Sequence, residues 1–337
     1  MDSQGRVRVG IVGCGYEGRL LAQAAAETSR LRVAACADPV QDAAAGVAAL
    51  AGHSEIYGSV DELLEKSKVD AIIVATPHHV LQEIALTAIR AGKHVLAEKP
   101  IALNEREAAR IEEAAVHADI CYMSGYSLRF FVAQQQVYEL LAAGVVGEIQ
   151  AVTAGIGSGP PGGWFARPEM GGGALLMLGS HLVDEVLWYI GDRPVEVVAD
   201  VRYRSDTGTD ETSAFQIRFA GGAVAQCLVT EAADSWFDFV EIYGRDGRIG
   251  LKSSNWLRYE ISVSSKANPA YAQPATICPR LRGDPIIMML APELEEFGAA
   301  IQQKRPPAVT AADGRQVLKV LDAVIESGRR GAPVRVG

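Results

Sequence analysis

Residues 9–18 read Val9-Gly10-Ile11-Val12-Gly13-Cys14-Gly15-Tyr16-Glu17-Gly18, and the fold turns on how this stretch is interpreted. An apolar run over 6–12 ends in a glycine turn, and 19–27 then carry helical composition, so the segment predicts strand, turn and helix. A Gly-x-Gly-x-x-Gly string alone also occurs as a plain turn. Between a strand and a helix each glycine does something different. Gly13 permits the tight turn, Gly15 lets backbone approach a pyrophosphate held at a helix N-terminus, and Gly18 lets helix pack on strand. Tyr16 and Glu17 fill the remaining positions of that anion site. Asp38 ends the next apolar run, about 20 residues beyond the glycines, where a carboxylate can accept both hydroxyls of a ribose. A lone Asp before Pro39 also reads as a turn former. The carboxylate repels a 2′-phosphate and Pro39-Val40-Gln41 offers no arginine, so NAD(H) is preferred over NADP(H).

Outward from this stretch the pattern repeats. A strand over 31–37 precedes helices near 41–50 and 60–66. A strand over 71–75 is followed by a helix over 80–91, a strand over 94–97 and a helix over 105–118. Such alternation means parallel βαβ units, hence an α/β fold with an N-terminal Rossmann doubly wound parallel sheet. After a strand at 120–124 and a helix around 133–143 the strands come in succession, at 148–156, 195–204, 212–219, 223–230, 237–243 and 257–263. Phe215, Ile217 and Phe219 share one face and Ala214, Gln216 and Arg218 the other. This predicts a second α/β domain with an open, mainly antiparallel sheet, a helix over 174–190 between its first strands, and closing helices at 292–302 and 310–328. The expected domains are 1–125, binding NAD, and 126–337, binding substrate and mediating oligomerisation. The Gly- and Pro-rich loop 155–163 is a lid if Trp164 and Phe165 line the pocket, and otherwise a surface connection.

Length and composition bound the partners. The 337 residues are 49% apolar and carry a formal charge of −9, which argues against nucleic acid or a membrane surface and for a small-molecule substrate. Five cysteines, Cys14, Cys36, Cys121, Cys227 and Cys278, lie scattered without a Cys-x-x-Cys pair, signalling neither a disulfide framework nor a zinc site. With no apolar run approaching a membrane span and no leader-like segment before the first strand, a cytoplasmic protein is expected.

Ligands of doubly wound sheets bind at the carboxyl ends of the strands. The loops there carry Thr76-Pro77-His78-His79 and Glu98-Lys99-Pro100. Lys99 follows an apolar strand and so points into the cleft, where desolvation lowers its pKa and suits it to a reacting hydroxyl. His78 and His79 diverge on an extended chain, and no carboxylate or Cys is spaced to complete a metal site with them. Tyr126 either offers a phenol to the pocket or is simply buried.

Several of these segments together resemble one family. The run 9–18, the stretch Ala91-Gly92-Lys93-His94-Val95-Leu96-Ala97-Glu98-Lys99-Pro100, and Gly171-Gly172-Gly173-Ala174-Leu175-Leu176 leading to Gly179-Ser180-His181-Leu182-Val183-Asp184 are similar to the glucose-fructose oxidoreductase, inositol dehydrogenase and MocA family. Arg129 in Tyr126-Ser127-Leu128-Arg129-Phe130 and the tail 313–328 match as well. The resemblance implies hydride transfer between a nicotinamide cofactor and a sugar, cyclitol or related alcohol. It implies Lys99 at the reacting hydroxyl, His181 as acid/base, and a homodimer or homotetramer built through the C-terminal sheet. Without it, one His on a helix would read as a core residue. Carried over in the same way, Pro39, Thr76, Pro77, His79, Glu98 and Lys99 belong to the cofactor site, and Tyr126, Arg129, Trp164, Met177 and His181 to the substrate site. One position departs. The family's dehydrogenases usually carry Asp four residues before the His, and here that residue is Met177, which neither takes up a proton nor orients an imidazole. That leaves room for C=N or C=C reduction, redox-assisted elimination or a non-catalytic NAD-binding role. Asp184, one turn beyond His181, reads as structural.

Overall fold

Apolar runs without a polar face become interior strands. In the computed structural model, which describes residues 1–255 and 257–337, eleven elements alternate from the N-terminus: β1 (Val7–Val12), α1 (Tyr16–Ala26), β2 (Leu31–Ala37), α2 (Gln41–Leu50), β3 (Glu55–Tyr57), α3 (Val60–Lys66), β4 (Ala71–Val74), α4 (His78–Arg90), β5 (His94–Glu98), α5 (Glu105–His117) and β6 (Tyr122–Gly125). Their strands pair in parallel in the order β3-β2-β1-β4-β5-β6. All four residues of β4 are 0% exposed, as a parallel strand covered by helices on both faces requires. Strand order reverses between β1 and β4, which opens a crevice at their carboxyl ends. Helix starts follow local chemistry: Ser59 Oγ accepts from Glu62 N at 3.2 Å and Asn104 Oδ1 from Glu107 N at 3.0 Å.

The later elements are α6 (Val132–Ala142), β7 (Ile149–Gly157), a π-helical turn Leu175–Gly179, α7 (Ser180–Ile190), β8 (Pro194–Tyr203), β9 (Asp210–Phe219), β10 (Val224–Thr230), β11 (Phe237–Gly244), β12 (Gly247–Ser254), β13 (Arg258–Ser265), β14 (Ala275–Ile277), α8 (Pro285–Gln303), α9 (Ala311–Arg330) and β15 (Val334–Arg335). A nine-stranded sheet runs β14-β13-β12-β11-β7-β10-β9-β8-β15. Every pairing among the described residues is antiparallel except that of β7 with β10. Phe215, Ile217 and Phe219 are buried and Ala214 and Arg218 exposed, the alternation expected of a sheet with one covered face.

Packing divides the chain into Met1–Phe130 with Ile286–Gln316, and Phe131–Pro285 with Val317–Gly337. The expected domain 126–337 is therefore not continuous, because α8 belongs with the parallel sheet. The Glu295 carboxylate accepts from Ser29 N at 2.9 Å and Ser29 Oγ at 2.7 Å, Gln302 Nε2 donates to Gly5 O at 3.0 Å, and Ser124 Oγ donates to Thr310 O at 2.8 Å.

Other expectations are corrected by packing. Strands β3, β12, β14 and β15 escaped the sequence reading. Glycine is poor in strands, so Gly247 and Gly250 disguised β12, where a side chain at Gly250 would overlap the Glu241 carboxylate. Helix α8 begins seven residues before Pro292 and runs through it, held by a buried stripe despite the missing donor. The segment Pro168–Ile190 is, by length and hydropathy, apolar enough to cross a membrane, contrary to expectation, yet 67% of its apolar window is buried.

Candidate functional site

In the first unit the site is built on backbone. Gly13 has φ +95°, and a Cβ there would overlap Ala75 O and come within 2.9 Å of the Thr76 methyl; a Cβ on Gly18 would overlap Gly13 O. A Cβ on Gly15 would meet nothing within 4 Å. Gly15 is the N-cap of α1, and no side chain among the described residues caps that helix. The first-turn amides are thus left without a side-chain cap at the positive end of the helix dipole, as a pyrophosphate site requires. Asp38 combines both of its expected roles: Oδ2 accepts from Cys14 N and Oδ1 from Val40 N, each at 2.8 Å. It braces the glycine turn and forms the turn before α2, and each oxygen retains capacity for a ribose hydroxyl. The residues present fit a dinucleotide.

Glu98 closes β5, and Lys99 follows, joined to Pro100 by a cis peptide. Both side chains are half-buried, and Lys99 N donates to Glu98 Oε2 at 3.2 Å. Burial lowers the Lys99 pKa against the raising effect of Glu98 and Glu17. Burial, then the charge of Glu17, pushes Glu98 up to about 8 against the pull of Lys99. Glu17, half-buried in the first turn of α1, is raised by burial and pulled back by Lys99. Gly13, Gly15, Glu17, Gly18, Asp38, Thr76, Glu98 and Lys99 thus gather at one end of the parallel sheet.

His78 and His79 lie in the first turn of α4, with Pro77 as its N-cap, rather than in an extended loop; His78 is buried and His79 exposed. Tyr16 is 73% exposed, a surface residue of the glycine turn, and Pro39 is exposed in the turn before α2. Tyr126 is 0% exposed, which is the buried alternative. Arg129 is buried, with its guanidinium 3.5 Å from Asp313 Oδ1, and the other oxygen of Asp313 accepts from Thr310 N and Oγ1. This ties Arg129 to the start of α9.

In the second unit the glycine triplet carries the site. A Cβ on Gly172 would overlap Phe165 O. Gly172 N donates to Arg167 O at 3.0 Å and Gly173 N to Phe165 O at 3.1 Å, which anchors the stacked pair Trp164 and Phe165, centroids 3.8 Å apart. Gly173, at φ +118°, leaves room that a Cβ would take from the Asp210 carboxylate. Asp210 Oδ2 accepts from Leu175 N at 2.6 Å. Asp210 therefore caps the helical run that carries Met177, in its π-helical turn, and His181, in the first turn of α7; both are half-buried. Single π turns are frequent at functional sites. Burial pushes Asp210 up to about 6, against the N–H groups of Leu175, its own backbone and Ala174.

Two residues escaped the sequence reading. Asp210 opens β9, and nothing local in the sequence marks it. Glu293 did leave a signal: Leu290, Glu293, Leu294 and Phe297 follow helical spacing and are all at most 1% exposed, so an acid stands on an apolar stripe.

Comparison with known proteins agrees with this geometry. Residues 7–126 match the oxidoreductase family with NAD-binding Rossmann fold, and 134–250 match the GFO/IDH/MocA C-terminal domain. A trans-1,2-dihydrobenzene-1,2-diol dehydrogenase of Danio rerio is 34% identical over 212 residues, spanning 62% of either chain. The rhizopine catabolism protein MocA of Rhizobium meliloti is 27% identical over 324 residues, 95% of either chain. A levoglucosan dehydrogenase solved with NADH is 21% identical and superposes over 98% of this chain and 99% of that one, with a TM-score of 0.89. The chain belongs to the GFO/IDH/MocA family of NAD-binding oxidoreductases.

Proposed function

We propose that the protein transfers hydride between NAD(H) and a carbon of a sugar, cyclitol or related polyol. The observation that carries this reading is the uncapped N-terminus of α1 above the switch point of the parallel sheet, with Asp38 bracing the turn and Lys99 on the same edge. Gly13, Gly15 and Gly18 would hold the pyrophosphate, and Asp38 the ribose, its charge favouring NAD over NADP. When bound, the cofactor supplies the hydride acceptor or donor. The lowered pKa of Lys99 makes its ammonium a readier donor and its amine an available acceptor at the reacting hydroxyl. His181 is the second acid/base group, presented on a helix start that Asp210 holds. Apolar side chains on the outward sheet face, Val198 and Leu228 at 38% and 37% exposure, support self-association there, and the composition supports a cytoplasmic setting.

Met177 favours a second reading. A thioether at the position where the family resemblance implies a carboxylate suits a reaction of different proton demand, such as C=N or C=C reduction or redox-assisted elimination. Retention of Lys99 and His181 favours an enzyme over a regulatory NAD sensor. The test is a panel of polyols and imines followed by reduced-nicotinamide absorbance. Lys99→Ala and His181→Ala are each expected to lose on the order of 100-fold in turnover while still binding NADH. Unchanged turnover in both variants would falsify the assignment. A gain of polyol oxidation in Met177→Asp would move the native reaction to the second reading.

A further inference from the structure

Glu293 is 0% exposed, and neither carboxyl oxygen has a hydrogen-bond partner among the described residues. Burial without a donor disfavours the ionised form. Its pKa is held well above the carboxylate range by burial first, then by the negative charges of Glu98 and Glu17. Glu17 from α1 and Glu98 at the end of β5 each interact with Lys99, which follows β5, and both act on Glu293 from α8. Among the described residues Lys99 offsets the charge of Glu17 and Glu98, whereas an ionised Glu293 would add a negative charge that both of those carboxylates oppose.

We propose that Glu17, Glu98 and Glu293 form with Lys99 a proton-exchanging cluster whose proton content follows the charge of the bound nicotinamide ring, so that oxidised and reduced cofactor bind with different proton stoichiometry. This rests on the dinucleotide reading above. The pyrophosphate is common to both cofactor forms and cancels in their comparison; the forms differ by the positive charge of the oxidised ring. That charge, at the end of the sheet where the cluster lies, stabilises ionised carboxylates and expels a proton to solvent. With the neutral reduced ring the proton returns. Raising the pH deprotonates the cluster and therefore favours oxidised over reduced cofactor, over a window centred near the value of about 8 reached by Glu98.

The experiment measures dissociation constants of NAD+ and NADH for the full-length protein across this window, with protons counted by calorimetry in buffers of different ionisation enthalpy. The ratio of the NAD+ to the NADH constant is expected to fall with rising pH, by at most about tenfold per pH unit. Glu98→Gln removes the slope, Glu17→Gln shifts it to lower pH by deleting a like charge, and Glu293→Gln cuts off its alkaline side. If Glu98→Gln does not fold, the half-exposed Glu17 variant still decides. Tight binding of both cofactors with a flat ratio, or an undisturbed slope in the Glu17 and Glu98 variants, overturns the cluster alone. Failure of the unmodified protein to bind either cofactor overturns the dinucleotide reading as well.

Discussion

Two glycine-rich turns precede two helical runs in this protein, and they do opposite things. At Gly13 to Gly18 the glycines keep side chains away from the start of α1, and no described side chain caps it. At Gly171 to Gly173 they make room for the protein's own anion, the Asp210 carboxylate on Leu175 N. The first helix start is open to a ligand's phosphates and the second is already satisfied. Glycine content alone does not make an anion site; what counts is whether the chain itself supplies the counter-charge.

The largest effects should come from filling the first turn. Gly13→Ala and Gly18→Ala place a methyl against backbone, so NADH affinity should fall by about 100-fold or the first unit should lose its thermal transition. Gly15→Ala faces open space. It should leave the melting temperature unchanged and still weaken NADH by at least about tenfold, because the methyl stands where the pyrophosphate approaches. Fluorescence titration beside thermal unfolding checks both, and normal affinity in all three variants would remove the cofactor from this turn.

A smaller effect probes the second turn from the other side. Asp210→Ala uncaps the run leading to His181 and should cost about 1 kcal/mol in denaturant unfolding, whereas Asp210→Asn retains most of that stability. Added phosphate, which meets the open first turn in both proteins, should then stabilise the Ala variant more than the unmodified protein. Equal responses would mean the contrast between the turns is wrong.

The smallest effect involves carboxyls away from both turns. Burial, then Asp238, pushes Glu185 up to about 8, and burial pushes Asp238 up to about 6. The native state then binds more protons than the unfolded chain between about pH 4 and 8, so these groups make stability fall as pH rises through that range. Glu185→Gln should flatten the upper part of the decline in melting temperature against pH; an unchanged profile would show that Glu185 does not titrate differently on folding.

Much of the first site was legible because its parts lie close along the chain. Glycines three and five residues apart, and an acid about 20 residues on, belong to one βαβ unit whose geometry is local. Lys99 was legible from the apolar strand it follows. Asp210 was not, since it meets an amide 35 residues earlier in the chain, and a strand-initiating Asp carries no mark of that. The start of α8 was misjudged because Pro292 is a strong local breaker, overridden by a buried stripe that only the packed unit supplies.

By itself the sequence determined the alternation of strands and helices, the parallel sheet and the glycine turn, because periodicity and glycine sterics act within a few residues. Tertiary structure alone decided which helix start stays open, that Asp210 closes the other, and that α8 brings a buried acid under the influence of Glu98 and Glu17. Hydrogen-bond partners, burial and the charges that shift a pKa come from residues distant in the chain, and they exist only once it has folded.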